Sequence, residues 1–464
     1  MADKGARPDQ LARHGLLYAV GVGVQGLATL LVIPVATRLL GPVQYGHVAV
    51  GLSIIQIGAV VAVVGLPAAI TRAYFDPGDG LLRARAMMGL IVGAGLLVAV
   101  GALVLRPVLG DVISLSVAAV GAATLVVGAQ AVLRAQGRPV IFMITAIGST
   151  VGAHLIGLGA ASIDATAEAY LGGYLVGAAV TAAYALVVVP PALPWRVPGA
   201  VSEGVRIAAP VVPHTAALLV LNSADPLILV RLLGPADAGR YQVAMMLGVA
   251  PLAVLSGINN AWAPAIMGAR DEDRWPFLAR TVRPILWVSA VCALGVALLA
   301  PLAVQLLAPP EYGHDVLARL AQVIALCALS QVIYLGACSV IFQEKRTTFL
   351  AITTPVAALV FVGLSVVLVS SFGLLGMAIA KVIGFAALAV GTLVAAGRLV
   401  RIPWQAATWV PIICTAVLGV LVLQLVPSTN LAVWLQAGAA VVLGLAFVGQ
   451  LARTGLPVHA PADS

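Results

Sequence analysis

Two charges stand inside otherwise apolar stretches: Asp225 in NSADPLILV and Lys381 in GMAIAKVIG. A third titratable group, His214, lies beside Pro210 and Pro213. Ionisable groups in such surroundings are expensive to keep, so they are candidates for function by default. The chemistry open to them is charge pairing and the holding of a proton or cation. Pairing Asp225 with Lys381 would lower the penalty of burying either one. A histidine titrates near neutral pH. Coupling to a proton or sodium ion through Asp225 and His214 is one reading. A structural salt bridge for the first, and a hydrogen bond between helices for the second, is the other. The uncharged groups Gln25, Gln56 and Gln331 fall near the middle of their apolar runs, and Arg72 and Arg134 close two such runs.

Bond-making chemistry has no comparable footing. Paired carboxylates, metal-ligand spacings and CxxC are absent from the sequence, and no cofactor motif is read. Cys292, Cys327, Cys338 and Cys414 all fall within apolar runs and read as small hydrophobes.

The elements that must position these residues follow from composition. The chain has 464 residues, 62% hydrophobic and 9% charged. Its mean hydropathy is +1.10. A soluble protein carries about 25% charged residues. A soluble enzyme, a disordered chain and a nucleic-acid partner are therefore excluded, and the net charge of +8 is to be read against a bilayer. The apolar runs are continuous, so they predict helices and not the alternating strands of a barrel. With about 20 residues per crossing, the runs predict an all-α polytopic membrane protein of about fourteen spans. Among these are 46–71, 205–230, 241–267, 406–426 and 431–452. The stretch 268–284 is read as a short helix in the inner interface or as a solvated turn. The first apolar run is too long for a signal peptide and is expected to stay as a helix.

Placing the N-terminus inside puts nineteen of the 25 Lys and Arg residues in inner segments. Five lie outside: Arg38, Arg106, Arg231, Arg240 and Arg319. Lys381 belongs to neither set. A missed helix would invert this bias in every later loop, so the asymmetry predicts that both termini are cytoplasmic.

An internal repeat divides the chain. Residues 37–46 read TRLLGPVQYG and residues 230–239 read VRLLGPADAG, an offset of 193. Arg at the end of a helix meets the negative end of its dipole, and Gly-Pro then turns the chain. Six spans separate the copies, so both face one way, as in transporters built from two parallel six-helix halves. The division expected is an N-terminal lobe over 1–190, a cytoplasmic linker over 191–204, a C-terminal lobe over 205–400, and extra helices with the tail over 401–464. Two pseudo-symmetric lobes with a cleft between them suit alternating access. The same offset places Val32 opposite Asp225 and Val188 opposite Lys381, so the lobes are expected to do different jobs.

The segments around Arg38, 65–75 (GLPAAITRAYF), 222–244 and 370–384 (SSFGLLGMAIAKVIG) together resemble the Wzx-like oligosaccharide-lipid flippases. These belong to the multidrug/oligosaccharidyl-lipid/polysaccharide exporter superfamily. The resemblance covers nearly the whole chain in order. It implies movement of a polyprenyl-diphosphate-linked oligosaccharide across the bacterial inner (cytoplasmic) membrane for surface polysaccharide. The partners implied are that lipid-linked substrate and the bilayer. On this reading an anionic head must cross a medium that rejects charge, and cations would ease its passage. Arg72, Arg134 and Lys381, with Gln25 and Gln56, become the substrate-binding candidates. For Arg72 and Arg134 the alternative is an ordinary interfacial arginine. Family members often carry Asn in the eleventh helix, where this chain has Ser365 as its comparable polar residue. In the lipid-flipping branch, helices such as the last two help hold a lipid tail.

Other readings within the superfamily are a peptidoglycan-precursor flippase and a cation-coupled drug or metabolite antiporter. The first carries arginines deep in its first half, whereas those here sit at helix ends. The second has twelve helices. A polysaccharide polymerase or ligase would need a sizeable outer loop, and the spacing of the runs leaves none.

Overall fold

A computed structural model describes the backbone of residues 8–209, 212–424 and 430–454. Side chains are described for residues 31–206, 208–209, 212–419, 433–447 and 449. All regular structure among the described residues is helical. Nine helices there are long and apolar enough to cross a membrane, and a bent pair, Val212–Ser223 with Asp225–Leu232, makes a tenth. Leu97, Val187, Leu359 and Leu435 are among many large apolar side chains left exposed. A soluble domain would bury them; a lipid-facing surface requires them. The protein is a multi-pass membrane protein. Its chain divides into two compact units, Met1–Leu219 and Val220–Ser464.

In the first unit, Asp111–Ala135 lies inside and packs against Gly80–Val104, Ala167–Val188 and the first helix. Small residues make this possible. Ala118, Ala119, Ala129 and Ala131 are all fully buried. Between helices in lipid the hydrophobic effect is weak, so close van der Waals contact and hydrogen bonds must hold them. Ser114 Oγ supplies one such bond, donating to the Ala102 carbonyl at 2.6 Å. At the other end Arg83 donates to Asp76 at 3.2 Å and to Glu203 at 3.0 Å. It ties the turn after Leu66–Tyr74 to Ala200–Ala208.

The second unit is built around Asp271–Leu307, a helix of 37 residues. At 1.5 Å per residue it is roughly 55 Å long, more than a bilayer core requires. The interfacial helix or turn expected over 268–284 is therefore not separate. It is the first part of this helix, which continues through Pro276 and Pro284. Trp262 Nε1 donates to Thr281 Oγ1 at 2.9 Å, and Gln322 Nε2 to the Ala297 carbonyl at 2.9 Å. These bonds lock its neighbours to it.

The two repeat copies take the same backbone geometry. Gly41 has φ 64° and ψ 173°, and Gly234 has φ 95° and ψ 175°. This region is essentially confined to glycine, and in both copies the next residue is the proline that opens a helix. Gly41 interrupts the otherwise continuous Pro8–Ala62. Before it, Arg38 donates Nη1 to the Pro34 carbonyl at 2.8 Å, as a basic residue at a helix end can.

Two expected spans are broken. The helix over 46–71 stops at Ala62 and restarts at Leu66. Val64 and Gly65 between them have positive φ, and Pro67 opens the new turn. The helix over 205–230 is also in pieces: Ala200–Ala208, Val212–Ser223 and Asp225–Leu232, the last two meeting at 54°. Pro226 lacks an N–H, so it cannot donate to the Asn222 carbonyl, and the helix bends where that bond is lost.

Candidate functional site

In the first unit the break at Val63–Gly65 forms one wall of a cavity of about 660 Å³. Val60 and Val63 line it from before the break, with Pro67, Thr71 and Phe75 after it. Val212, Thr215 and Ala216 face them, and Arg134 stands at the end of Asp111–Ala135. The walls are mostly apolar. Arg134 is exposed, and its guanidinium carbon lies 5.8 Å from the centre of the Phe142 ring. The arrangement is an apolar chamber with a cation in its wall, suited to an anionic group on an amphiphile.

Arg72, Gln56 and His214 do not themselves line this chamber. Arg72 is exposed on Leu66–Tyr74, but its neighbour Thr71 lines the cavity. Gln56 is exposed one helical turn before Val60 and on the same face. His214 is half-buried, next to the lining residue Thr215. Gln25 lies on the first helix, but its side chain is outside the described residues, as is Pro210. Gln130, one turn before Arg134, donates to Thr145 at 3.4 Å and so stitches helices.

The second unit holds a charged site of another kind. Asp225 and Lys381 are both fully buried, with Nζ 2.7 Å from Oδ2. Tyr241 donates its hydroxyl to the other carboxylate oxygen at 3.0 Å. Lys381 also donates to the Leu221 carbonyl at 3.2 Å and to the Asn222 carbonyl at 3.1 Å. The second of these is the carbonyl that Pro226 leaves without a helical donor. The broken helix thus presents a carboxylate and two carbonyls to one ammonium. Phe361 closes the site, its ring centre 5.7 Å from Nζ.

This geometry corrects one expectation. Lys381 is not placed to bind substrate, because neither side chain of the pair is exposed and its three protons have three acceptors. Tyr241 is the member that sequence reasoning missed. A signal was available: Asp225 and Tyr241 lie nine and seven residues from the Gly234 turn, which brings them to one level of adjacent helices. Ser365 is buried and donates its hydroxyl to the Phe361 carbonyl of its own helix at 2.7 Å. Asn259 keeps a buried side-chain oxygen without a partner. Cys327 and Cys338 are buried as expected, whereas Cys292 and Cys414 are half-buried.

Comparison with known proteins places this arrangement. A search of the curated proteins gives no match. Among solved structures, the lipid II flippase MurJ in an inward closed conformation is similar with a TM-score of 0.71. The match covers 95% of this chain and 99% of that one at 12% identity. An inward-facing multidrug resistance MATE family transporter of the MOP superfamily matches with a TM-score of 0.54. It covers 82% of this chain and 94% of that one at 17% identity. A MATE protein in the straight conformation gives 0.55 over 84% and 95%, at 14% identity. At these identities the likeness is one of fold. The profile of the family described as polysaccharide biosynthesis protein matches residues 11–269, the stretch that contains the cavity, Asp225 and Tyr241. The chain therefore belongs to the polysaccharide biosynthesis protein family, and it shares its fold with the MurJ and MATE structures.

Proposed function

We propose that the protein is a flippase that carries a polyprenyl-diphosphate-linked oligosaccharide across the bacterial cytoplasmic membrane by alternating access, for surface polysaccharide assembly. The observation that carries this reading is the first unit's cavity, with Arg134 in a mostly apolar wall. A diphosphate that leaves water needs charge-assisted hydrogen bonds, and a guanidinium supplies them in paired geometry. Arg134 takes that role, Arg72 waits at the inner mouth, and Gln25 and Gln56 complete the proposed substrate-binding set. Asp225 carries the coupling to a proton or sodium ion, with Tyr241 and Lys381 holding its carboxylate, and His214 is a second proton site. The lobes over 1–190 and 205–400 move about the linker 191–204.

The topology proposed is fourteen crossings with both termini in the cytoplasm. Ten candidate spans support it by length and composition. The breaks at Gly41 and Gly373 would divide two of the long helices into two crossings each. Val410–Gln424 and Asn430–Thr454 would supply the last pair.

Deletion of the gene tests the function. The expected result is accumulation of polyprenyl-linked oligosaccharide at the inner leaflet and loss of surface glycan. Wild-type protein restores export and Arg134→Gln does not. Normal surface glycan without accumulation would overturn the reading. A second reading is supported by the similarity to MurJ over 95% of the chain: the cargo is then a peptidoglycan precursor. Depletion would in that case accumulate lipid II and stop wall growth.

A further inference from the structure

We propose that a second cavity, at one end of the second unit, binds the phosphodiester headgroup of an anionic glycerophospholipid and seats the start of its acyl chains. The cavity has a volume of about 550 Å³. Three turns of chain converge on it: the start of Pro235–Gly248, the start of His314–Ala325 and the break at Gly373. Its charged residues are Asp237, Arg240 and Arg319.

The two arginines are in different states. Arg240 donates Nη1 to Asp237 at 3.1 Å and Nη2 to the Glu311 carbonyl at 3.4 Å. These contacts hold its plane, while its Nε is buried with no acceptor. Arg319 is exposed and makes no hydrogen bond or ion pair among the described residues. The free guanidinium of Arg319 in the wall of this cavity makes the place attractive to an anion. A phosphate oxygen accepts its N–H groups in paired geometry.

The rest of the lining says which phosphate. Val316 is 48% exposed, Phe372 59% and Leu375 39%, so large apolar side chains flank the cations at a membrane helix end. That juxtaposition matches the boundary between headgroup and hydrocarbon. Two guanidiniums against one carboxylate leave a single positive charge, the complement of one phosphodiester. A diphosphate would bring a second negative charge toward Asp237. The site lies wholly in the second unit and does not depend on the reading of the first unit's cavity.

Native mass spectrometry of the full chain in detergent tests the proposal, with dioctanoyl phosphatidylglycerol as probe. Inorganic phosphate and farnesyl diphosphate serve as comparison ligands. The wild type is expected to retain phosphatidylglycerol, and Arg319→Gln to weaken the binding about tenfold or more, as loss of a charge-assisted bond does. Arg319→Lys recovers part of it, Phe372→Ser weakens it, and Arg106→Gln in the first unit leaves it unchanged. Equal phosphatidylglycerol binding by wild type and Arg319→Gln would overturn the proposal. So would inorganic phosphate binding as tightly as the lipid, or farnesyl diphosphate binding more tightly than it.

Discussion

The two units share a repeat and a turn geometry, yet they handle charge in opposite ways. In the first unit Arg72 and Arg134 are exposed, and Arg134 is left to line a cavity. In the second, Asp225 and Lys381 are sealed from solvent and every polar atom of the pair has a partner. At the corresponding positions of the first unit stand Val32, which is buried, and Val188, which is half-buried. The two units therefore share a turn while their interiors differ. An accessible cation can meet a passing anion. A sealed pair can act only through opening of the site, which suits a group that gates movement and not one that touches cargo.

The largest effect is expected from unpairing the sealed site. Lys381→Met leaves a buried carboxylate and should destabilise the protein by about 3–5 kcal/mol. Thermal unfolding in detergent measures it. The double variant Asp225→Leu/Lys381→Met should recover most of that loss, since no charge is then left unpaired. Equal stability of the single and double variants would remove the contrast between the units. Tyr241→Phe comes next. It deletes one hydrogen bond to a charged acceptor and should cost about 1.5–3 kcal/mol in the same assay. A wild-type melting curve for Tyr241→Phe would mean that Lys381 alone holds the carboxylate. The repeat offers a test in which the units should behave alike. Gly41→Ala and Gly234→Ala each force a side chain into a region confined to glycine, at about 1–3 kcal/mol. Similar losses for both would support a shared turn; a loss in one alone would restrict the likeness to sequence.

Much of this contrast is legible in the amino-acid sequence. Asp225 and Lys381 stand out because a charge in an apolar run has few solutions, and pairing is the commonest. The Arg-Leu-Leu-Gly-Pro copies predict a turn, and Gly41 and Gly234 make it. The breaks at Val63–Gly65 and Ser223–Ala224 are not legible there. The apolar run continues through the first, and at the second, within Asn-Ser-Ala-Asp-Pro, a proline in a membrane helix bends the chain only where neighbours satisfy the freed carbonyls. Here the group that satisfies the Asn222 carbonyl, Lys381, is 159 residues away in the chain. The cavity is hidden for a similar reason. Val60, Pro67, Thr71 and Phe75 are ordinary residues in a membrane helix, and it is the break that turns them toward one space.

The claim that the first unit's accessible cation meets the cargo has a direct test. Purified protein in proteoliposomes is loaded with a fluorescent polyprenyl-diphosphate oligosaccharide, and its transfer between leaflets is followed by loss of signal to an added quencher. Arg134→Gln should keep the thermal stability of the wild type within about 0.5 kcal/mol, as exposed substitutions do. Its rate of transfer should fall at least about tenfold, the worth of one charge-assisted bond. Transfer at the wild-type rate by a stably folded Arg134→Gln would contradict the account.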